Sequence, residues 1–122
     1  MNEIIFYKDR HGFSELLAFI QALDQKANLS KNERIMLKQI RFYINILENL
    51  GTRAGEPFVK HIQNEVWELR PGTNRILFFS WYKNKIVLLH YFKKTTNRTP
   101  NSEIEKAINE ILDWEERNDK NE

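Results

Sequence analysis

Apolar residues along this chain change their spacing more than once, and each change marks a change of secondary structure. The opening segment, Asn2 to Lys8, carries the run Ile4-Ile5-Phe6-Tyr7 and reads as a first strand, broken at Gly12. Phe13, Leu16, Leu17, Ile20 and Leu23 then recur at steps of three and four, the period of an amphipathic helix. Ser14 and Asp9 are both candidates to cap its start. Ser30-Lys31-Asn32-Glu33 has the form of a capping box. Met36, Ile40, Tyr43, Ile44, Leu47 and Leu50 line one face of a second helix of about 20 residues. It ends at Gly51, where a left-handed residue is expected. The two helices, joined near Asn28, predict an antiparallel hairpin.

From Phe58 onward β-branched and aromatic residues take over. Phe58-Val59-Lys60-His61-Ile62 predicts a short strand. Val66-Trp67-Glu68-Leu69-Arg70 alternates, which puts Trp67 and Leu69 on one face and Val66, Glu68 and Arg70 on the other. Pro71-Gly72-Thr73-Asn74 is a turn signal. Arg75 to Tyr82 predicts a strand, Lys83-Asn84 a two-residue hairpin, and Ile86 to Phe92 the next strand. These last two are apolar on both faces, as central strands covered from both sides are. After Pro100 comes a final helix, with Ser102 and Glu105 as a second capping box and Ile104, Ala107, Ile108 and Ile111 as its apolar face. The order β–α–α–β–β–β–β–α predicts one α+β domain over residues 1–122. Its sheet is mainly antiparallel, of four or five strands, with the helical hairpin on one face and a C-terminal helix.

Composition narrows the function classes. With 122 residues, 41% of them hydrophobic, the chain has the material for a single packed core. The absence of cysteine excludes disulfides, a thiol nucleophile and cysteine-based zinc sites. The three histidines, His11, His61 and His90, lack the spacing of a zinc enzyme. The longest apolar run, Leu16 to Ile20, is far too short to span a membrane, and the first residues lack the order of a signal peptide. A soluble, cytoplasmic protein without membrane contact is expected. The four glycines form neither a P-loop nor a dinucleotide fingerprint, and there is no nucleophile elbow. No cofactor and no metal are expected. Glu65 and Glu68 are candidates for paired-carboxylate chemistry only by default.

Charge is unevenly spread. Residues 53–98 carry 9 Lys/Arg against 3 Asp/Glu, and residues 99–122 carry 3 against 8. A basic block with interleaved aromatics suits a polyanion, and it equally suits a solvated charged surface. Lys60, Arg70, Arg75, Lys93, Lys94 and Arg98 fall at strand ends, with His61 and His90 among them. Metal-free phosphodiester cleavage needs such a set: a group to take the 2′-hydroxyl proton, a cation to hold the growing phosphate charge, and an acid for the leaving oxygen. Arginine suits the middle role, because its planar fork binds phosphate oxygens in pairs. His90, inside an apolar strand, reads first as a hydrogen-bonded core histidine. Trp67, Phe78, Phe79 and Trp81 read as core rather than as a base-stacking platform.

Val66-Trp67-Glu68-Leu69-Arg70-Pro71, then Asn74-Arg75-Ile76-Leu77-Phe78-Phe79, then Leu88-Leu89-His90-Tyr91-Phe92-Lys93-Lys94-Thr95, then Thr99-Pro100 before a helix carrying Ile104 and Ala107, together resemble the HigB branch of the RelE/ParE superfamily. These are toxins of bacterial type II toxin–antitoxin pairs, and the resemblance runs from about Ile4 to Ile111. It implies a RelE-like fold and a ribosome-dependent, metal-independent mRNA endoribonuclease acting on the 70S ribosome. It also implies a HigA-type helix-turn-helix antitoxin that neutralises the toxin and through which alone operator DNA is contacted. By position, Arg70 matches the family's phosphate-stabilising arginine. Lys60 and His61 match the basic positions of the preceding strand, and Lys93 and Lys94 those after the last strand. Arg75 matches a recurrent arginine; with Lys83, Lys85 and Arg98 it makes the expected RNA-contacting set. Some relatives use a C-terminal tyrosine, or a histidine with an aspartate, for proton transfer. Here no tyrosine or histidine follows Phe92, and the acids of the last helix read as surface groups. Lys60, His61 and His90 remain as candidate bases. Two other readings stand beside the enzyme: a ParE-like, non-catalytic inhibitor of DNA gyrase, and an inactive co-repressor acting with the antitoxin.

Overall fold

The computed structural model describes residues 1–118. Along them run β1 (Glu3–Phe6), α1 (Glu15–Lys26), α2 (Lys31–Leu50), a 3-10 turn (Gly51–Ala54), β2 (Val59–Gln63), β3 (Val66–Leu69), β4 (Asn74–Ser80), β5 (Lys85–Lys93) and α3 (Asn101–Arg117). The strands form one sheet in the order β1-β5-β4-β3-β2. β2 to β5 make an antiparallel meander. β1 instead lies parallel to β5, with Glu3 beside Lys85 and Phe6 beside Leu88, so the five-stranded sheet is mixed.

β4 and β5 are buried from both sides, as their unbroken apolar runs require. On one face Leu16 and Leu23 of α1 and Leu37, Ile40 and Leu47 of α2 pack on Leu69, Ile76, Phe78 and Leu88. On the other, Ala107 and Ile111 of α3 pack on Val66, Leu77, Phe79, Val87 and Leu89. Trp67 joins the first layer and Trp81 the second, so the aromatics serve the core. The helical hairpin and the C-terminal helix therefore clamp the sheet between them.

Element ends depart from the sequence pattern for local reasons. Ser14 caps α1, its Oγ accepting from the Leu17 N–H at 3.1 Å. Phe13 consequently precedes the helix and is 53% exposed instead of joining the buried stripe. The Ser30 hydroxyl donates to the Glu33 carboxylate and makes no bond to the helix backbone. Ser102 lies inside α3, whose cap is Pro100. Lys83-Asn84 is not a two-residue hairpin: Trp81 to Asn84 all lie between β4 and β5. The Pro71–Asn74 turn closes with the Asn74 N–H on the Pro71 carbonyl at 3.0 Å. Gly72 within it has φ +61°, and a Cβ there would stand 2.3 Å from Gln39 Oε1 of α2. The turn is thus seated directly on the helical hairpin.

A single extra residue in β5 sets the position of α3. Leu77 pairs with His90 while Phe78 pairs with Leu88, so Leu89 is inserted. Such a bulge re-aims side chains, and here Leu89 and His90 both face α3. His90 is fully buried. Its Nε2 lies 2.9 Å from Glu103 Oε1 and its Nδ1 2.5 Å from Glu110 Oε1. These two acids are therefore not surface groups, as the helix pattern suggested; they are the polar grip that docks α3. A second clasp joins α3 to the chain just after β1. The Tyr7 hydroxyl donates to Asp113 Oδ2 at 2.7 Å, and Arg117 donates to the same oxygen.

Two outcomes follow from these contacts. His90→Ala strands two largely buried carboxylates and is expected to destabilise the fold by about 3–5 kcal/mol in urea unfolding; a loss under 1 kcal/mol would mean that apolar packing alone docks α3. Burial, then the bond to Asp113, push the Tyr7 phenol up to about 12. A folded pKa above the ordinary value near 10 adds stability below pH 10 that is lost as pH rises from 10 to 12. Tyr7→Phe should therefore lower stability by about 1.5 kcal/mol at pH 7. That deficit should shrink through the same alkaline window, and the phenolate absorbance lost with Tyr7 should be the component that appears near pH 12.

Candidate anion-binding cleft

On the α3 side of the sheet, β2, β3 and the loop from β5 into α3 enclose a cleft of about 400 Å³. The strands supply Lys60, Ile62, Glu68 and Arg70, the loop Asn97, Arg98 and Thr99, and the first turn of α3 Asn101 and Ile104. Alternation explains the strand side. Lys60 pairs directly with Glu68 across the β2–β3 ladder, so the two share a face, and Arg70 lies two residues beyond Glu68. The Arg70 N–H donates to the Phe58 carbonyl at 3.0 Å, which fixes the strand end that carries it. Because α3 starts at the cleft, the positive end of its dipole adds to the local field.

Glu68 is the buried centre of this wall, only 3% exposed. Its Oε2 accepts from the Thr99 hydroxyl at 2.7 Å. Its Oε1 lies 3.4 Å from Arg70 Nε and 3.8 Å from Arg75 Nε. Arg70 also has Glu56 of the rim 4.0 Å from its Nη1. Behind it, Arg75 is buried and donates through Nη1 to the Gly72 and Asn74 carbonyls at 2.7 and 2.8 Å. Burial first, then the nearby Arg70 charge, push the Arg75 pKa down, while Glu68 opposes the shift.

The structure gathers Lys60, His61, Arg70 and Arg98 around one cleft. His61 borders it, but its ring packs on Trp67 with centroids 5.1 Å apart. Pairing with Trp67 places that ring on the hairpin side of the sheet, across β2 from Lys60. His61 Nε2 lies 2.7 Å from the Asn64 carbonyl. Since a carbonyl only accepts, Nε2 is the donor, which leaves Nδ1 open. Lys93 and Lys94 flank the neighbouring turn, where the Lys94 N–H donates to the Thr73 carbonyl at 2.7 Å. Arg75 is committed to the backbone of that turn. Lys83 and Lys85 sit at the opposite end of β5, about 26 Å from Lys93 at 3.3 Å per residue, over the rings of Tyr82 and Trp81. His90 is turned to α3 and is not part of the cleft wall.

Glu68, Thr99, Asn97 and Asn101 were not singled out as members of a cationic site. For Glu68 a signal existed: a carboxylate alternating onto an apolar strand face must find a partner, and Arg70 follows two residues later. Nothing comparable marks Thr99, which reaches the site through a loop. Among the described residues, no group of three or more His, Cys, Asp or Glu is arranged to hold a metal ion. No helix among them is long and apolar enough to cross a membrane.

Fold and cleft together define a small α+β protein with a cationic cleft beside a buried carboxylate. The family model of Gp49-like phage-derived proteins (DUF891) matches residues 19–111, and the chain belongs to that family, which is associated with toxin–antitoxin modules. The match spans every residue that lines the cleft. No curated protein matches the chain.

Proposed function

We propose that the chain is the toxin of a type II toxin–antitoxin pair, a HigB-like member of the RelE/ParE superfamily that cleaves mRNA on the ribosome without a metal. In this reading a HigA-type helix-turn-helix antitoxin holds it inactive. The observation that carries the reading is Arg70, held beside buried Glu68 at the wall of a cleft that Lys60 and Arg98 also line. A guanidinium fixed there meets the two non-bridging oxygens of a phosphodiester. As the 2′-oxygen bonds to phosphorus and the bond to the 5′-oxygen breaks, negative charge grows on those oxygens and Arg70 stabilises it. The products are a 2′,3′-cyclic phosphate and a 5′-hydroxyl. Lys60 stands on the Arg70 face and is placed to donate to the leaving 5′-oxygen. On β2, an edge strand, His61 turns its ring to the other face, so of the two neighbours Lys60 is the one that reaches a phosphate held by Arg70, and the 2′-hydroxyl proton passes to water or to a group the ribosome supplies. Geometry imposed by the ribosome adds orientation that the isolated cleft lacks.

The test is to express the chain alone and map mRNA 5′ ends. Cuts inside translated reading frames are expected, and EDTA should leave cleavage intact once ribosome integrity is controlled. DNA breaks with intact mRNA would instead indicate gyrase inhibition, and neither lesion would indicate a co-repressor. Arg70→Ala should abolish growth arrest, lowering cleavage by about 10²–10³-fold. Arg75 and Thr99 still hold Glu68 in that variant, so the fold and antitoxin capture should survive. Arg70→Lys should restore activity only in part, because a point charge cannot grip two oxygens at once. Full toxicity of Arg70→Ala would remove Arg70 from the mechanism.

A further inference from the structure

We propose that Glu68 is the positioning residue of the cleft: its carboxylate holds Arg70 by the Nε edge so that the terminal nitrogens face the phosphate. The inference rests on the phosphodiester-cleaving reading above. Three contacts carry it. Oε1 stands between the Nε atoms of Arg70 and Arg75 as an ion-pair partner of both, the buried Arg70 Nε–H making no hydrogen bond, and Oε2 accepts from the Thr99 hydroxyl. The first two keep a pair of neighbouring guanidiniums from driving each other apart. Arg75 is buried and tied to its turn, so without Glu68 the side chain free to swing outward is Arg70. The third contact ties the loop bearing Arg98 to β3, so one carboxylate spans two walls of the cleft.

A residue acting in this way leaves a particular signature. Glu68→Gln removes a negative charge and keeps Lys60, Arg70 and Arg98, so polyanion binding should not weaken. What is lost is the fixed direction of Arg70, and misplacement on that scale can slow a reaction by up to about 10²-fold. A purely structural loss would instead lower the folded fraction and affect rate and binding together.

The experiment measures single-turnover cleavage of mRNA on programmed ribosomes. Glu68→Gln should slow the step by about 10- to 100-fold, with a half-saturating concentration equal to or below that of the unmodified chain. In an Arg70→Ala background the same change should slow nothing further, since Glu68 acts only through Arg70. Equal slowing in both backgrounds, or a parallel rise in the half-saturating concentration, would overturn the proposal. A second arm is independent of the reaction. The Arg70 Nε–H signal, assigned by its disappearance in Arg70→Lys, should show a strong heteronuclear NOE in a nitrogen-edited NMR spectrum and lose it as the side chain becomes mobile in Glu68→Gln, while the backbone amide spectrum stays folded. Unchanged side-chain mobility would refute the proposal. If the unmodified chain cuts no mRNA, the cleavage reading fails, and the Nε–H arm still decides whether Glu68 holds Arg70. Should Glu68→Gln not fold, Glu68→Asp retains the charge, withdraws it by one methylene and carries the same expectations.

Discussion

β4 and β5 are apolar on both faces, so the sheet is stable only while something covers each side. The helical hairpin covers one side with the buried residues of two helices. The other side depends on α3 alone, whose buried stripe is short: Ile104, Ala107 and Ile111. Such a stripe leaves the helix free to slide along the sheet, and a directional contact must choose its place. His90 supplies it, with one carboxylate on each ring nitrogen, and the Tyr7–Asp113 clasp adds to it farther along the helix. The cleft inherits this choice, because Asn101 and Ile104 of α3 and the preceding Thr99 form its outer wall. One inserted residue in β5 thus governs the width of a site on the far side of β3.

The electrostatics of the cleft follow from a second constraint. Burying a guanidinium is costly unless an anion accompanies it. Arg75 is buried and Arg70 nearly so, and both lie near the same Glu68 oxygen. A single carboxylate between two cations leaves a local positive excess directed outward, where Lys60 and Arg98 extend it. The wall is therefore pre-charged for an anionic ligand without holding an unpaired buried charge. An arrangement of two acids and two arginines would have been equally easy to bury and useless for binding phosphate.

Much of this was legible in the residues alone. The alternation of Val66 to Arg70 assigns the correct face to Glu68 and Arg70, and the three-and-four spacing finds all three helices. The strength of those patterns comes from their short range, since each is set by burial along one element. What escaped depends on pairing between distant segments. The parallel placement of β1 has no local mark, and the bulge at Leu89 appears only once β4 is laid beside β5. Because of that bulge, His90, Glu103 and Glu110, thirteen and twenty residues apart in sequence, become one cluster. His61 shows the same limit from the other side. It is adjacent to Lys60 in sequence, yet adjacency on a strand sends the two side chains to opposite faces.

The parallel strand has a consequence for how the molecule is assembled. β1 is the first strand in the chain, yet its one partner is the last. The meander from β2 to β5 can form from near neighbours, each hairpin closing a short loop. Docking β1 closes a loop that contains both helices of the hairpin and three strands. Contacts of such long sequence separation slow folding more than they add to final stability. Without β1 the outer edge of β5, an interior strand of the finished sheet, would be open. Open edges are where nascent chains pair with the wrong partner. β1 therefore works as a seal: it converts the outer edge of an apolar strand into an interior ladder.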